Sequence, residues 1–486
     1  MRFKFPEILL KTIIGAFIAS TFMMCSKPAL KVEKPLSVVS ETSPTKSDTV
    51  NTDVPLQDGG DDFDLPDTSA ATRVIAAVTT TITVQPSQWS VDGSNLPAGT
   101  VIYVQAGKRG ALLLKNLQGT PQQPIIIVNK GGQVTLSAAT TASYVFKTQN
   151  CKNFKVLGTG AAGVNYGFVI DGGNISMTMD DLSSDFEIAN IEVKNSGFAG
   201  IMAKTDPSCD KATWRGNFTM SNIRIHHNYI HNTGGEGIYV GNSFYKDGVS
   251  TSCGTVMPHE TKNLRIYKNT VNFAGCEGIQ VGSATTECYV FHNTIQSPGR
   301  SPFASGQNNG IQIGEGTGGK CFNNLVKDAP GNGIIVLGLG DNSVYNNYII
   351  GAAENGIFAD SRYTPGPYFR FVNNTIVSPK KDGIKLNSET IPMNVAVNNV
   401  IINAGSGQAI HRMSSSVKLT ASNNYVNSDV NTCKFVNYAG GDYHLQSSSP
   451  LINAGTNTFY YGVAYDYYGT KRLSTGSFDI GATEHQ

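Results

Sequence analysis

GEGIYVG at residues 235–241 and CEGIQVG at residues 276–282 are two copies of a phrase that the chain repeats eight times. The other copies are GFAGIMA (197–203), NNGIQIG (308–314), GNGIIVL (331–337), ENGIFAD (354–360), KDGIKLN (381–387) and GQAIHRM (407–413). A second repeated pattern accompanies the first, in which apolar residues alternate with polar ones and the run ends in Asn. The copies of this pattern end at Asn228, Asn269, Asn293, Asn324, Asn347, Asn374, Asn399 and Asn424. A unit of about 23 residues with insertions of varying length predicts a solenoid.

One repeat, IRIHHNYIHNTGGEGIYVG at 223–241, shows what each unit is made of. Apolar residues alternate with polar ones over three to five positions, and Gly and Asn separate these runs, which is the pattern of short strands joined by turns. Strands this short cannot enclose a core alone, but they can when parallel coils stack. We interpret the recurring Asn as a turn residue that tolerates left-handed backbone and forms a ladder between coils, and the Gly before Ile as a sharp corner.

These repeats resemble the right-handed parallel β-helix of the pectin-lyase-like superfamily over roughly residues 95–426. The resemblance implies an all-β solenoid of roughly 12–13 coils with three short strands per coil. LPAGTVIYVQAG at 96–107 resembles an opening coil, and YHLQSSSPLINAGT at 443–456 resembles a C-terminal segment of secreted β-helix proteins. We therefore predict a β-helix over 76–426 and a segment over 427–486 that caps its end.

The N-terminal residues indicate export. Residues 1–25 have a basic start and an apolar run too short for an ordinary membrane span, which predicts a signal peptide, and Cys25 stands where a bacterial lipoprotein carries its lipid. Residues 26–75 are polar, rich in Ser, Thr and Pro, and lack periodicity, which predicts a disordered tether. We expect a cell-surface or outer-membrane lipoprotein, or a secreted protein, that contacts membrane only through this lipid.

Composition excludes several classes of partner. The formal net charge is +1, so bulk electrostatics give no argument for binding nucleic acid.

Eight cysteines leave seven after Cys25, an odd number that argues against a full disulfide framework. Cys209 and Cys253 lie in long insertions after equivalent strands of adjacent coils, and we predict a disulfide between them. We expect the protein to be a monomer with a polysaccharide as its partner.

The insertions predict where a ligand binds. Loops at 203–221, 241–262 and 360–369 all follow the Gly-Ile strand, and insertions on one side of a solenoid often frame its binding surface. Outward positions of that strand should stack in a row, namely Met202, Tyr239, Gln280, Gln312, Ile335, Phe358, Lys385 and His411. We predict that substrate contacts Tyr239, Gln280, Gln312 and Asp360. The alternative is an ordinary solvated sheet face.

Glu236 and Glu277 occupy the same place in consecutive coils, directly before Gly-Ile. Two stacked carboxylates repel each other unless a cation, a proton or a basic partner lies between them. We predict that this pair holds calcium. The alternative is a polar turn position that caps its neighbours.

The most favoured function is a lyase that cleaves a uronic-acid polysaccharide by β-elimination, as the superfamily resemblance implies. Elimination requires a neutralised carboxylate, a base and an acid. Side chains of suitable chemistry in the insertions are Lys246, His259, Tyr245 and Arg362. Two alternatives stay open: a glycoside hydrolase or epimerase, which as a hydrolase needs two carboxyls across the bond, and a non-catalytic surface protein that binds glycans.

Overall fold

The computed structural model describes residues 80–361, 366–472 and 476–485. Over these ranges the chain is built from short strands, and its helical segments are single 3₁₀ turns at Lys211–Thr213, Val430–Cys433 and Phe459–Tyr461. No helix in the described ranges is long and apolar enough to cross a membrane. The predicted signal peptide, Cys25 and the tether at 26–75 lie outside the described residues.

The Gly-Ile strands form one parallel sheet of 12 strands in the described chain, which we call the Gly-Ile face. Its strands follow the chain order, so each coil contributes one strand. They are Ser90–Asp92, Leu112–Lys115, Tyr144–Gln149, Ile175–Asp180, Ile201–Ala203, Ile238–Val240, Ile279–Val281, Ile311–Ile313, Ile334–Val336, Ile357–Asp360, Ile384–Asn387 and Ile410–Arg412.

A second sheet of 23 strands supplies the other two sides of each coil. The strands before the recurring Asn form the long-strand face: Thr81–Val84, Val101–Arg109, Ile125–Ala138, Lys152–Leu157, Ser184–Ala189, Thr219–His226, Glu260–Tyr267, Ala284–Phe291, Gly319–Phe322, Asp341–Tyr345, Tyr368–Val372, Met393–Val397 and Leu419–Ser422. The remaining strands form the short-strand face: Phe168–Gly172, Ile191–Lys194, Tyr229–His231, Thr270–Asn272, Thr294–Gln296, Leu325–Lys327, Tyr348–Ile350, Thr375–Val377, Val400–Ile402 and Tyr425–Asn427. Two hairpins lie outside these faces, Val249–Thr251 with Gly254–Val256 and Phe435–Asn437 with Asp442–Leu445.

Equivalent residues of successive coils pair directly, as in Ile225 with Ile266 and Ile238 with Ile279. Their apolar side chains point inward and form one continuous buried core along the solenoid. Because parallel strands cannot be joined by tight hairpins, three strands per coil return the chain to the next rung. The predicted parallel β-helix with three strands per coil is confirmed.

The predicted Asn ladder is present and continuous from Asn228 to Asn424. Each side-chain amide donates to the amide oxygen of the next Asn, for example Asn269 Nδ2 to Asn293 Oδ1 at 3.0 Å and Asn293 Nδ2 to Asn324 Oδ1 at 3.0 Å. The left-handed residue is the one before the ladder Asn, such as His292 with φ of 51°. The interpretation of the ladder Asn as the left-handed residue is therefore wrong, since the preceding residue makes the bend that turns Asn inward.

The Gly before each Ile is needed for close approach rather than for a left-handed corner. A Cβ on Gly237 would lie 2.4 Å from Val271 Cγ1 and 2.6 Å from the carbonyl oxygen of Gly278. Gly278 meets Ile295 Cγ2 in the same way, at 2.4 Å. These contacts are below van der Waals separation, so any side chain there would force adjacent coils and the core apart.

The described part of the C-terminal segment, residues 427–472 and 476–485, lies along the side of the coils, whereas we predicted a cap over their end. It runs back along the side of the coils, held by outward Asn residues that precede the ladder. Asn398 Nδ2 donates to the Thr456 carbonyl at 2.7 Å, and Asn346 Nδ2 donates to the Tyr465 carbonyl at 2.7 Å. In the last coil Val426 is 56% exposed, although its partner Ile401 in the previous coil is buried. We call residues 454–472 and 476–485 the lateral segment.

Candidate functional site

The outward row of the Gly-Ile face pairs in the predicted order. Tyr239 lies beside Gln280, and Gln280 lies beside Gln312. The row is not an open surface throughout, however, since Tyr239 is 7% exposed and Gln280 is 2% exposed. Gln312 is half-buried.

The 241–262 loop covers the first part of this row. The Ser243 hydroxyl lies 3.0 Å from the Tyr239 hydroxyl and accepts from Gln280 Nε2 at 3.2 Å. The Lys204 ammonium sits 4.8 Å from the centre of the Tyr239 ring. Tyr239 and Gln280 therefore face protein, which contradicts their prediction as substrate-binding residues. Asp360 is likewise fully buried.

Glu236 and Glu277 lie inside the coil rather than on it, with 1% and 0% of their surface exposed. One donor atom from each of Glu236, Cys276 and Glu277 lies within 4.8 Å of the others. Burial raises the pKa of Glu236 to about 7. Burial, followed by repulsion from Glu236, raises the pKa of Glu277 to about 8, so this pair retains a proton at neutral pH.

The donor set at this pair does not fit calcium. Ca²⁺ takes six to eight oxygen ligands, whereas the third donor here is the Cys276 thiol, whose pKa burial raises to about 12. The neighbouring Asn309 presents its amide nitrogen, which donates to Glu277 Oε1 at 2.9 Å. Asn309 Oδ1 in turn accepts from Asn332 Nδ2 at 2.8 Å, so the two Glu residues continue a second buried ladder. Glu236 Oε2 and Glu277 Oε2 have no hydrogen-bond partner among the described residues.

The predicted catalytic residues do not converge on one surface. His259 is fully buried; its Nε2 accepts from the Thr205 amide at 3.0 Å and its Nδ1 lies 2.9 Å from the Glu260 carbonyl. Burial lowers the pKa of His259 to about 4, so this side chain is a structural neutral imidazole, contrary to the prediction.

Tyr245 and Lys246 lie at the outer edge of the same loop. The Tyr245 hydroxyl donates to Glu260 Oε1 at 3.4 Å, and the Arg215 guanidinium stacks 3.8 Å from the centre of its ring. Lys246 is exposed, and its backbone amide donates to Glu315 Oε2. Arg362 lies outside the described residues. Among the described residues, no hydrogen bond or ion pair joins the side chains of Tyr245, Lys246 and His259 to one another.

Cys209 and Cys253 are joined by a disulfide across a sequence separation of 44 residues. The bond ties the 203–221 insertion to the 241–262 insertion. Arg215 adds a second tie, since its guanidinium donates to the carbonyls of Pro258 and Tyr245. Together these contacts explain why the insertions cover the Gly-Ile face instead of framing an open cleft.

An open groove of about 270 Å³ lies on the long-strand face instead. Its floor is formed by outward residues of consecutive coils, namely Tyr289, Lys320, Ser343 and Arg370. Arg265 pairs in register with Tyr289 one rung beyond the groove, and we call these five residues together the basic row. One wall comes from the starts of the long strands, where Glu287, Asp341 and Tyr368 lie. The other wall is Tyr461 of the lateral segment.

The cations of the basic row have no acidic partner among the described residues. No carboxylate lies within ion-pair distance of Arg265, Lys320 or Arg370, whereas most other buried or half-buried lysines of the described chain are paired, as Lys155 is with Glu187 at 2.7 Å. Arg265 Nε and Arg370 Nε also lack hydrogen-bond partners. Unpaired guanidinium groups held on a rigid sheet are well suited to an anionic ligand.

Tyrosine rings surround these cations. The Lys320 ammonium is 6.0 Å and the Arg265 guanidinium 5.7 Å from the centre of the Tyr289 ring. The Arg370 guanidinium stacks 3.7 Å from the centre of the Tyr368 ring and lies 5.6 Å from that of Tyr461. Burial raises the pKa of the Tyr289 phenol, with a contribution from Glu287, so Tyr289 is protonated at neutral pH. Burial also raises the pKa of Asp341.

The sequence contains a signal for this groove that is in register with the ladder Asn. Each member of the basic row stands four residues before a ladder Asn, as Arg265 does before Asn269 and Lys320 before Asn324. Aligning the repeats on Asn would have brought the cations into one column. The wall from Tyr461 has no such signal, because the lateral segment lies outside the repeat.

Residues 300–426 match the sequence family described as "Right handed beta helix region", which gives the handedness that the resemblance predicts. No curated protein matches the chain. Among solved structures, an alginate lyase from Paenibacillus sp. str. FPU-7 is similar at 15% identity with a TM-score of 0.41, covering 69% of this chain and 99% of that one. Pectate lyase Pel9A matches at 14% identity with a TM-score of 0.46, covering 81% and 90%. The lyase Pedsa3628 of polysaccharide lyase family 6, from Pseudopedobacter saltans, matches at 13% identity with a TM-score of 0.40, covering 74% and 97%.

Proposed function

We propose that this protein is a polysaccharide lyase that cleaves a uronic-acid polymer in the groove of the long-strand face. The observation that supports this most directly is the basic row. Lys320 and Arg370, which have no acidic partner among the described residues, line an open groove together with tyrosines, and Arg265 continues the row one rung beyond it. A polymer of uronic acids supplies both the carboxylates that such cations bind and sugar rings for the tyrosine faces.

The groove holds the side-chain types that β-elimination needs. The Arg370 guanidinium can neutralise the carboxylate of the reacting uronate, which acidifies the proton on the adjacent carbon. Lys320, two rungs from Arg370, is the candidate base, and its amine must be neutral when it takes that proton. The protonated Tyr289 phenol, next to Lys320 in the row, is the candidate acid that donates to the leaving oxygen. In this scheme the carbon–oxygen bond breaks as the carbon–hydrogen electrons form the new double bond.

This proposal requires no calcium, because cationic side chains neutralise the substrate carboxylate that calcium would otherwise bind. The protein should retain activity after chelation and dialysis. Full loss of activity on chelation, restored by calcium, would contradict the assignment of charge neutralisation to arginine.

The decisive experiment is an assay of the purified protein on polygalacturonate, alginate and glycosaminoglycans, with the ultraviolet absorbance of the unsaturated product as the readout. We expect product from one of these polymers and its loss in R370M. R300M is the matched control, because Arg300 is an exposed arginine whose guanidinium stacks on Phe273 outside the groove. Unsaturated product formed equally by R370M and by the native protein would refute the site.

A glycoside hydrolase is the second candidate, favoured by Glu287 and Asp341 in the groove wall. Their strands are two rungs apart, which separates their backbones by about 9.6 Å, close to the roughly 6.5–9.5 Å between carboxyl groups of inverting glycosidases. The raised pKa of Asp341 suits a general acid. New reducing ends without unsaturated product, lost in D341N, would select this function. Binding without either product would select the glycan-binding alternative.

The setting that we propose is extracellular. The basic start, the apolar run and Cys25 in residues 1–25 support export, and the polar stretch at 26–75 supports a tether between a lipid anchor and the solenoid. Lipidation of Cys25 and a monomeric state remain predictions. Mass spectrometry of the membrane fraction, with C25S as the control, tests the first of them.

A further inference from the structure

From Arg265 to Arg370 the basic row alternates in charge over five consecutive coils. Arg224 pairs with Arg265 on the preceding rung, so the alternation begins at Arg265. Its order is cation, tyrosine, cation, serine, cation, namely Arg265, Tyr289, Lys320, Ser343 and Arg370. Each member pairs in register with the next, so insertions between the coils do not shift the row. The alternation is therefore fixed in space although the sequence intervals between its members differ.

The solenoid sets the distance between these charges. Neighbouring parallel strands lie about 4.8 Å apart, so cations on every second rung recur at about 9.6 Å along the groove. The two uncharged rungs present a small hydroxyl and an aromatic ring instead of a cation. Ser343 is small and only 8% exposed, which leaves room between Lys320 and Arg370, and Tyr289 presents a ring between Arg265 and Lys320.

We propose that the basic row selects an extended linear polymer whose carboxylates recur about 10 Å apart along one side, with a sugar over each uncharged rung. This inference rests on the proposed function for the identity of the polymer as a polysaccharide. It adds a specificity rule, because the positions of the charges select the ligand and the net charge does not. A flexible polyanion, or one with its acids spaced differently, meets fewer of the three cations at once.

Glu287 and Asp341 in the groove wall add to the selectivity for the spacing of the ligand carboxylates. Both are on the wall two residues upstream of the row, as Asp341 is to Ser343 and Glu287 is to Tyr289, and so both lie beside uncharged rungs. An acidic group displaced by one rung would therefore lie near a carboxylate instead of a cation. Like charges at short range are unfavourable, so the wall opposes binding out of register.

The test moves one charge by one rung without changing the net charge. In K320S/S343K the cation shifts from the third rung to the fourth. We expect the dissociation constants for a mannuronate octasaccharide and a hyaluronan octasaccharide, measured by titration calorimetry, to rise about tenfold or more, as K320S alone should also do. Equal affinity of K320S/S343K and the native protein for both would overturn the inference, as would the absence of native binding to either.

Two further measurements keep the result interpretable. Thermal unfolding of K320S/S343K shows whether the larger side chain at Ser343 disturbs the fold, and K385S, which removes a lysine from the Gly-Ile face outside the groove, should bind like the native protein. Unsaturated product with no effect of the register change would leave the proposed function standing and remove the inference. Weaker binding by K320S/S343K, together with no unsaturated product from the native protein, would remove the proposed function and keep the inference.

Discussion

The Gly-Ile face and the long-strand face are built by the same coils, yet one is covered and the other is open. On the Gly-Ile face the insertions fold down, and the Ser243 hydroxyl contacts both Tyr239 and Gln280. On the long-strand face the walls lie beside the row, and Lys320 and Arg370 keep open space above them. Long insertions on a solenoid can therefore hide a face as readily as frame one, and the outward residues themselves decide which.

The largest expected effect on activity comes from a comparison of one lysine on each face, Lys320 on the long-strand face and Lys385 on the Gly-Ile face. K320M should lower kcat/KM by about 10²–10⁴, because it removes the candidate base from the groove. K385M removes an outward lysine from the Gly-Ile face, where its ammonium lies 5.8 Å from the centre of the Phe358 ring, and should leave kcat/KM within about twofold. Steady-state kinetics on the polymer that gives product checks both. The reverse ranking would return the active site to the Gly-Ile face.

The lateral segment provides a smaller effect. Y461A should raise KM by about three- to tenfold with little change in kcat, since the ring contributes to the wall beside Arg370 and not to the chemistry. Tyr460 is the matched control, because it is adjacent in sequence and 86% exposed. A loss confined to kcat in Y461A would show that this wall takes part in the reaction.

The buried Glu pair predicts a dependence of stability on pH rather than of activity. The folded-state pKa of Glu277 is about 8, above its ordinary value of 4.5, so the unfolded chain releases this proton first and stability should fall as the pH rises from about 4.5 to about 8. E277Q keeps a donor in the ladder without a titrating group and should flatten the fall. Thermal midpoints of both proteins between pH 5 and 9 measure it. Parallel curves would show that Glu277 is ionised in the fold.

The smallest effect on activity should come from the disulfide. C209A/C253A loosens two insertions that cover the Gly-Ile face, so it should lower the thermal midpoint while kcat/KM stays within about twofold. Kinetics and thermal unfolding in the presence and absence of reductant provide the comparison. A drop in activity matching that of K320M would mean that the covered face serves the reaction.

The repeat predicted most of the fold because it reports a physical necessity in every coil. Ile238 and Ile279 fill the core and Asn269 and Asn293 satisfy buried backbone, so a change in any coil would be felt by its neighbours. Because these residues recur in every coil, they do not indicate where the site lies. Residues such as Lys320 and Arg370 vary from coil to coil, and only alignment on the ladder Asn shows that they share one column.

The covering of the Gly-Ile face could not be read from the sequence. Whether the 241–262 loop stands up or folds down depends on contacts between distant residues, such as Thr205 with His259 and Arg215 with Pro258. The path of the C-terminal residues did leave a trace. Doubled Asn at 346–347, 373–374 and 398–399 marks the coils where the first Asn holds the lateral segment and the second joins the ladder.

The lateral position of the last residues has a consequence for biosynthesis. During synthesis or export the coils emerge in order, and each can stack as soon as its strands are free, because every coil contacts mainly its neighbours. The wall containing Tyr461 emerges after the coils and must fold back over them. We therefore expect catalytic competence to be the final property the chain acquires, so that a nascent or C-terminally clipped molecule would have a finished solenoid and an unfinished groove.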